Sequence, residues 1–75
     1  MSGEEATQAI YCFVVAHKRR HDGNSPSFRQ IRRACNISST SMVSFYLQKL
    51  VEEGRITLDT GARIISVVGA EWRLP

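Results

Sequence analysis

Apolar residues recur at helical spacing in three stretches of this chain and then change to simple alternation. From about residue 4 to 20, Ala6, Ala9, Ile10, Phe13, Val14 and His17 fall at three- and four-residue intervals, which predicts a first helix. Strand-forming residues crowd the run from Ile10 to Val15. The Glu/Ala/Gln lead-in, the length and the closing Lys18-Arg19-Arg20, which complements a helix C-terminus, decide for helix. Because the run is apolar on nearly all sides, part of it is expected either under the C-terminal tail or at a contact surface.

His21 to Pro26 is a turn by composition. Ser27-Phe28-Arg29-Gln30 then has the form of a capping box, with Ser at the N-cap and Gln three residues on, and opens a second helix over about 28–35. Its apolar positions are Phe28, Ile31, Ala34 and Cys35, while Arg29, Arg32 and Arg33 project elsewhere. Asn36, which tolerates the left-handed conformation, is a natural stop, and Ile37 is placed to plug the core. A third helix over about 39–53 has hydroxyl residues Ser38, Ser39 and Thr40 to cap it and Gly54 to close it. Val43, Leu47 and Leu50 make its core stripe, flanked by Tyr46 and Val51. Its other face holds Ser41, Met42, Ser44, Phe45, Gln48 and Lys49, which are short or nearly uncharged where a solvated helix usually carries Glu and Lys. Such a face suits close approach to something, and a DNA groove is one candidate.

Beyond Gly54 the period drops to two. Ile56 and Leu58 alternate with Arg55 and Thr57, Asp59 to Ala62 turns the chain, and Ile65 and Val67 alternate with Ile64 and Ser66, so a β-hairpin spans about 55–67. Residues 68–75 have no period; Trp72 there is expected to pack back over the first helix or to serve a contact. Two helices joined by about three residues, the second presenting the polar face, form a helix-turn-helix. The expected fold class is mainly α with a small β-hairpin: one three-helix winged helix-turn-helix domain over residues 1–75.

Composition narrows the function. Seventy-five residues suffice for one small domain, and 43% hydrophobic with 23% charged residues is ordinary for a globular chain. The formal charge of +3 hides an asymmetry: residues 17–49 hold seven Lys and Arg against Asp22 alone, so a polyanion would be drawn to the middle of the chain. The alternative is a solvated basic face that aids solubility. Cys12 and Cys35, the two cysteines, lie in apolar helical stretches and are expected as buried reduced thiols. No apolar run approaches the ~20 residues of a membrane span, and Glu4 and Glu5 are unlike the basic start of a signal peptide, so a cytoplasmic location is expected. His17 and His21 stand one turn apart without further ligands, and are read as surface histidines rather than a metal site. There is no Gly-rich phosphate loop and no nucleophile-base-orienter set, so no catalytic residue, cofactor or small-molecule ligand is expected.

The motif Ser25-Pro26-Ser27-Phe28-Arg29-Gln30-Ile31 is followed by Ile37-Ser38-Ser39-Thr40-Ser41-Met42-Val43, Leu47, Leu50, Gly54-Arg55-Ile56 and Arg63-Ile64-Ile65. These residues, over about 25–67, resemble the N-terminal winged-helix DNA-binding domain of LexA-type SOS repressors; the first helix matches poorly. The resemblance implies that the third helix enters the major groove of double-stranded DNA and that the wing touches the backbone or minor groove. It assigns base contacts to Ser39, Ser41, Met42, Ser44 and Phe45. Ser44 and Phe45 depart from the residues usual in the family, so a family operator is not carried over. Ser offers both donor and acceptor, whereas Met and Phe suit a thymine methyl. Such repressors also carry a C-terminal self-cleaving and dimerising domain, which these 75 residues do not reach, so neither property is expected of them.

With DNA as ligand, the backbone candidates are Ser27, Arg29, Arg32, Arg33, Lys49, Arg55 and Arg63, with the start of the second helix as the main clamp and Arg63 at the wing tip. A single winged helix covers only about 600–1,000 Å² on DNA, which favours a homodimer or a regulatory partner through Tyr11, Val15 and Trp72. The rival reading is a protein-protein interaction module in which Phe45 or the apolar face of the first helix docks on a regulatory protein.

Overall fold

Chemical punctuation places both ends of α2 and α3 and the C-terminal end of α1 in the computed structural model, which describes residues 3–59 and 64–69. Helix α1 runs Gly3–Arg20, α2 Phe28–Ala34 and α3 Thr40–Glu52, followed by strands β1 (Ile56–Asp59) and β2 (Ile64–Val67). The fold is thus three helices and a two-stranded antiparallel hairpin, the winged helix-turn-helix expected from the pattern. The Asp59 to Ala62 turn beyond Asp59, Arg63 and Trp72 lie outside the described residues.

Helix α1 has Glu4 and Glu5 in its first turn and His17 to Arg20 in its last, so both ends complement the helix dipole. It stops where Asp22 (φ 53°) and Gly23 (φ 85°) turn left-handed and the Gly23 N–H donates to the Lys18 carbonyl at 2.8 Å. At α2 both arms of the capping box form: the Gln30 N–H donates to Ser27 Oγ at 3.1 Å, and the Ser27 N–H to Gln30 Oε1 at 2.8 Å. Asn36 takes φ 54°, and the Ile37 and Asn36 amides donate back to the Arg32 and Arg33 carbonyls, which is a Schellman closure made without glycine. Ser39 caps α3 by accepting from the Met42 N–H at 3.2 Å. Gly54 (φ 73°) ends it with the same pair of bonds, to Val51 and Leu50. A Cβ on Gly54 would meet no atom within 4 Å, so the dihedral rather than space calls for glycine.

One core joins all five elements: Ile10 and Val14 from α1, Ile31 and Cys35 from α2, then Ile37, Val43, Leu47 and Leu50, and Ile56, Ile65 and Val67 from the hairpin. The apolar stripe of α1 centres on Ala6, Ile10 and Val14, as expected, but is wider than the apolar residues alone. Thr7 and Lys18 face inward with Ala6, Ile10 and Val14, while Ala9, Phe13 and His17 are only half-buried. Two local hydrogen bonds permit this: Thr7 Oγ1 donates to the Glu4 carbonyl at 2.9 Å and Lys18 Nζ to the Gly23 carbonyl at 2.7 Å, so neither polar group is buried bare. The expectation of two buried thiols is half corrected, since Cys35 is buried and Cys12 is exposed on the solvent side of α1. Ala34 is likewise exposed, whereas Ile31 and Cys35 on the same helix turn inward.

The hairpin pairs Ile56 with Val67, Thr57 with Ser66, Leu58 with Ile65 and Asp59 with Ile64. Its inner face is Ile56, Ile65 and Val67 with half-buried Leu58; Thr57 and Ser66 face out. The hairpin is anchored from 40 residues away in the chain: Ser25 Oγ accepts from the Ile65 N–H at 2.9 Å and donates to the Ile65 carbonyl at 3.0 Å. A single hydroxyl thereby satisfies a strand edge that would otherwise lack a partner.

Candidate nucleic-acid interface

The turn between α2 and α3 brings the starts of the two helices together. An open cleft of about 550 Å³ lies between them, lined by Ser27, Phe28 and Arg29 on one side and Thr40, Ser41 and Ser44 on the other. Its walls are hydroxyls, one aromatic ring and one guanidinium, with no acidic side chain, so it is polar and accepts a negative group without repulsion.

The five expected base-contact residues separate into three kinds. Ser41, Ser44 and Phe45 are exposed on the outer face of α3. Ser39 is half-buried and its hydroxyl is already occupied as the N-cap. Met42 is half-buried, packed on the core, and lines a different hollow with Ala6, Asn36, Ile37, Ser38 and Tyr46. Thr40 and Gln48 stand exposed beside the first group and were absent from the expected contacts. Their signal was helical spacing alone: Gln48 lies seven positions after Ser41 and three after Phe45, on the same line.

The cationic candidates also divide. Arg29 and Arg33, one turn apart, are exposed on the same side of α2, and Arg32 is half-buried. Lys49 is exposed, with Nζ 5.2 Å from the centroid of the Phe45 ring. Arg55 is engaged within the fold: its guanidinium lies 4.0 Å over the Tyr11 ring, Nη2 donates to Gln8 Oε1 at 3.0 Å, and Nη1 is 3.9 Å from the Glu53 carboxylate. Tyr11 is thus partly covered by Arg55, while Val15 is half-buried on the same helix. Ser27 is exposed, but its hydroxyl serves the α2 cap.

Burial pushes the Cys35 thiol up and the Lys18 ammonium down from their ordinary values. Both groups sit in or beside the core rather than on the outer face of α3. The rings of His17 and His21 lie 4.2 Å apart, with His17 Nδ1 3.1 Å from the Asn24 carbonyl. Among the described residues no group of three or more His, Cys, Asp or Glu could hold a metal ion, and no helix is long and apolar enough to cross a membrane.

A capped helix-turn-helix with its second helix presented outward, followed by a hairpin fastened to the same core, defines a winged helix-turn-helix domain. Its sequence is 36% identical over 77 aligned positions to a LexA repressor of Herpetosiphon aurantiacus, and the alignment takes in the whole of this chain. The alignment thus extends beyond residues 25–67 to take in α1. The chain spans 36% of that relative's length. No family model and no solved structure matches the chain.

Proposed function

We propose that this domain binds double-stranded DNA in a sequence-specific manner as part of a transcriptional regulator, a repressor by likeness to its relative. In this reading α3 lies in the major groove and the hairpin wing rests on the backbone or minor groove. The observation that carries it is the outer face of α3: Ser41, Ser44, Phe45 and Gln48 are exposed without a charge among them, and exposed Arg29 shares a cleft with Ser41 and Ser44. Small side chains let the helix axis come close to base edges, and the arginines supply counter-charge at the flanking phosphates. Thr40, Ser41 and Ser44 face the Ser27 to Arg29 start of α2 across one cleft, so a phosphate there would meet hydroxyls and a guanidinium together.

The role is one of binding rather than catalysis, in the cytoplasm, without cofactor. Residues 1–75 act as one winged-helix unit. The contacts follow the exposed set, with Ser41, Ser44 and Phe45 foremost at bases and Arg29, Arg33 and Lys49 foremost at phosphates; Arg32, Arg63 and Ser27 complete the backbone group. Tyr11, Val15 and Trp72 are the surface for a homodimer or regulatory partner.

Binding measured against salt tests this reading. Affinity for duplex DNA should fall by orders of magnitude between low and moderate salt, and Arg29→Ala should reduce the slope of log K against log salt by about one. Failure to bind any duplex at low salt would overturn it. A second reading, docking on a protein through Phe45, draws on the 52% exposure of that ring. It predicts nearly salt-insensitive association that is lost in Phe45→Ala.

A further inference from the structure

Phe45 stands on the midline of the outer face of α3, with Ser41 one turn before it and Gln48 one turn after, all three exposed. Its ring is half in solvent, at 52%, but it is not loose. It meets the Tyr46 ring edge to face, with centroids 5.5 Å apart and planes at 69°, and the Lys49 ammonium lies over it at 5.2 Å. Two contacts on a side chain with two rotatable bonds hold the ring while about half of the residue stays open to solvent. The ring is the bulkiest apolar feature of that face.

Resting on the DNA-binding reading, we infer that Phe45 is a specificity-determining residue that selects thymine, by packing its exposed ring on the thymine C5-methyl in the major groove. A phenyl ring has neither donor nor acceptor, so it cannot read the hydrogen-bonding edges that distinguish most bases. In the major groove the thymine methyl is the one apolar group a base pair presents. Set against guanine, cytosine or adenine at that position, the ring would strip water from base donors and acceptors and leave them unpaired, which disfavours those bases. Met42, the other apolar residue of the helix's first turns, is half-buried on the core and lines another hollow, so its reach toward a base is limited. Lys49, held above the ring, keeps a positive charge beside the same contact, where the negative potential of the duplex offsets its desolvation.

The test uses duplexes that the protein recovers from a randomised pool. Each thymine in a recovered duplex is replaced in turn by deoxyuridine, which removes the methyl and leaves the pairing edge unchanged. In each half-site one such replacement should weaken binding about fourfold, the scale of burying a single methyl group. Phe45→Ala should bind more weakly and lose discrimination at that position while keeping the same salt slope; its fold is not at risk, since the ring lies outside the core. If the wild-type protein binds but no replacement matters, or if Phe45→Ala still discriminates, the thymine contact is overturned and DNA binding stands. If no duplex is recovered or bound at low salt, the DNA reading falls and the inference falls with it.

Discussion

The Ser25 hydroxyl accepts from the Ile65 amide and donates to the Ile65 carbonyl, at 2.9 and 3.0 Å, and so fastens the outer strand of the wing to the loop that precedes α2. The wing and the helix-turn-helix are thereby held in one frame by a contact that spans 40 residues. Ser25→Ala leaves both Ile65 backbone groups without that partner, and should destabilise the domain by about 1–2 kcal/mol in chemical denaturation. Hydrogen exchange of the Ile65 amide should quicken more than that of Val43 or Leu47, because the wing loosens before the helical core.

Ser39 separates stability from recognition. Its hydroxyl is the α3 cap, so Ser39→Ala should cost about 1 kcal/mol, whereas Ser39→Asp can accept the same Met42 amide bond and should fold as well as the native chain. With α3 bound to DNA as proposed, a carboxylate at its N-terminus would repel phosphate. Duplex binding should therefore drop more in Ser39→Asp than in Ser39→Ala, the reverse of their order in stability.

Lys18 gives a pH signature with a determined sign. Burial lowers its folded-state pKa below the ordinary 10.5, so the unfolded chain binds more protons in the window between the two values. Its contribution to stability therefore rises as pH increases through the folded pKa toward 10.5. Cys35, held up by burial, acts in the opposite sense, since the folded state keeps its proton longer and loses stability as pH climbs past the ordinary thiol value. The difference in unfolding free energy between wild type and Lys18→Met, followed from neutral to alkaline pH, should isolate the first effect. A difference independent of pH in that window would contradict it.

Arg55 and Tyr11 join α1 to the start of the wing. The guanidinium lies over the ring and donates to Gln8, so Arg55→Ala should lower stability by about 0.5–1 kcal/mol, and a double-mutant cycle with Tyr11→Leu should show coupling. Arg55→Ala should also change the salt slope of DNA binding less than Arg29→Ala does. Arg29 is exposed at the cleft, while Arg55 already has partners within the fold.

Much of this architecture can be read from local signals, because the forces that set it act over a few residues. The Ser27 to Gln30 box, the tolerance of Asn36 for positive φ and the Gly54 stop are satisfied by backbone groups three to five positions away, and each appears in the structure where its residue type announces it. The alternation of Ile56, Leu58, Ile65 and Val67 likewise needs only a pleated strand with one covered face. What the α1 pattern does not reveal is the pair of polar residues that joins its stripe. Periodicity ranks positions by hydrophobicity, and could not show that Thr7 and Lys18 would find carbonyl partners and turn inward.

By itself, then, the sequence determined three helices, two of them with side-chain caps, and a hairpin, the order that makes them a winged helix-turn-helix, and the nearly uncharged outer face of α3. Tertiary structure alone decided which members of that face are free. It placed Ser41, Ser44, Phe45 and Gln48 in solvent, tucked Met42 against the core and, beyond the helix, engaged Arg55 with Tyr11. The physical reason is distance along the chain. Caps and periods are local, but the exposure of a side chain on α3 depends on α1 and on the junction into β1, and the wing on Ser25, through contacts between residues as many as 47 positions apart.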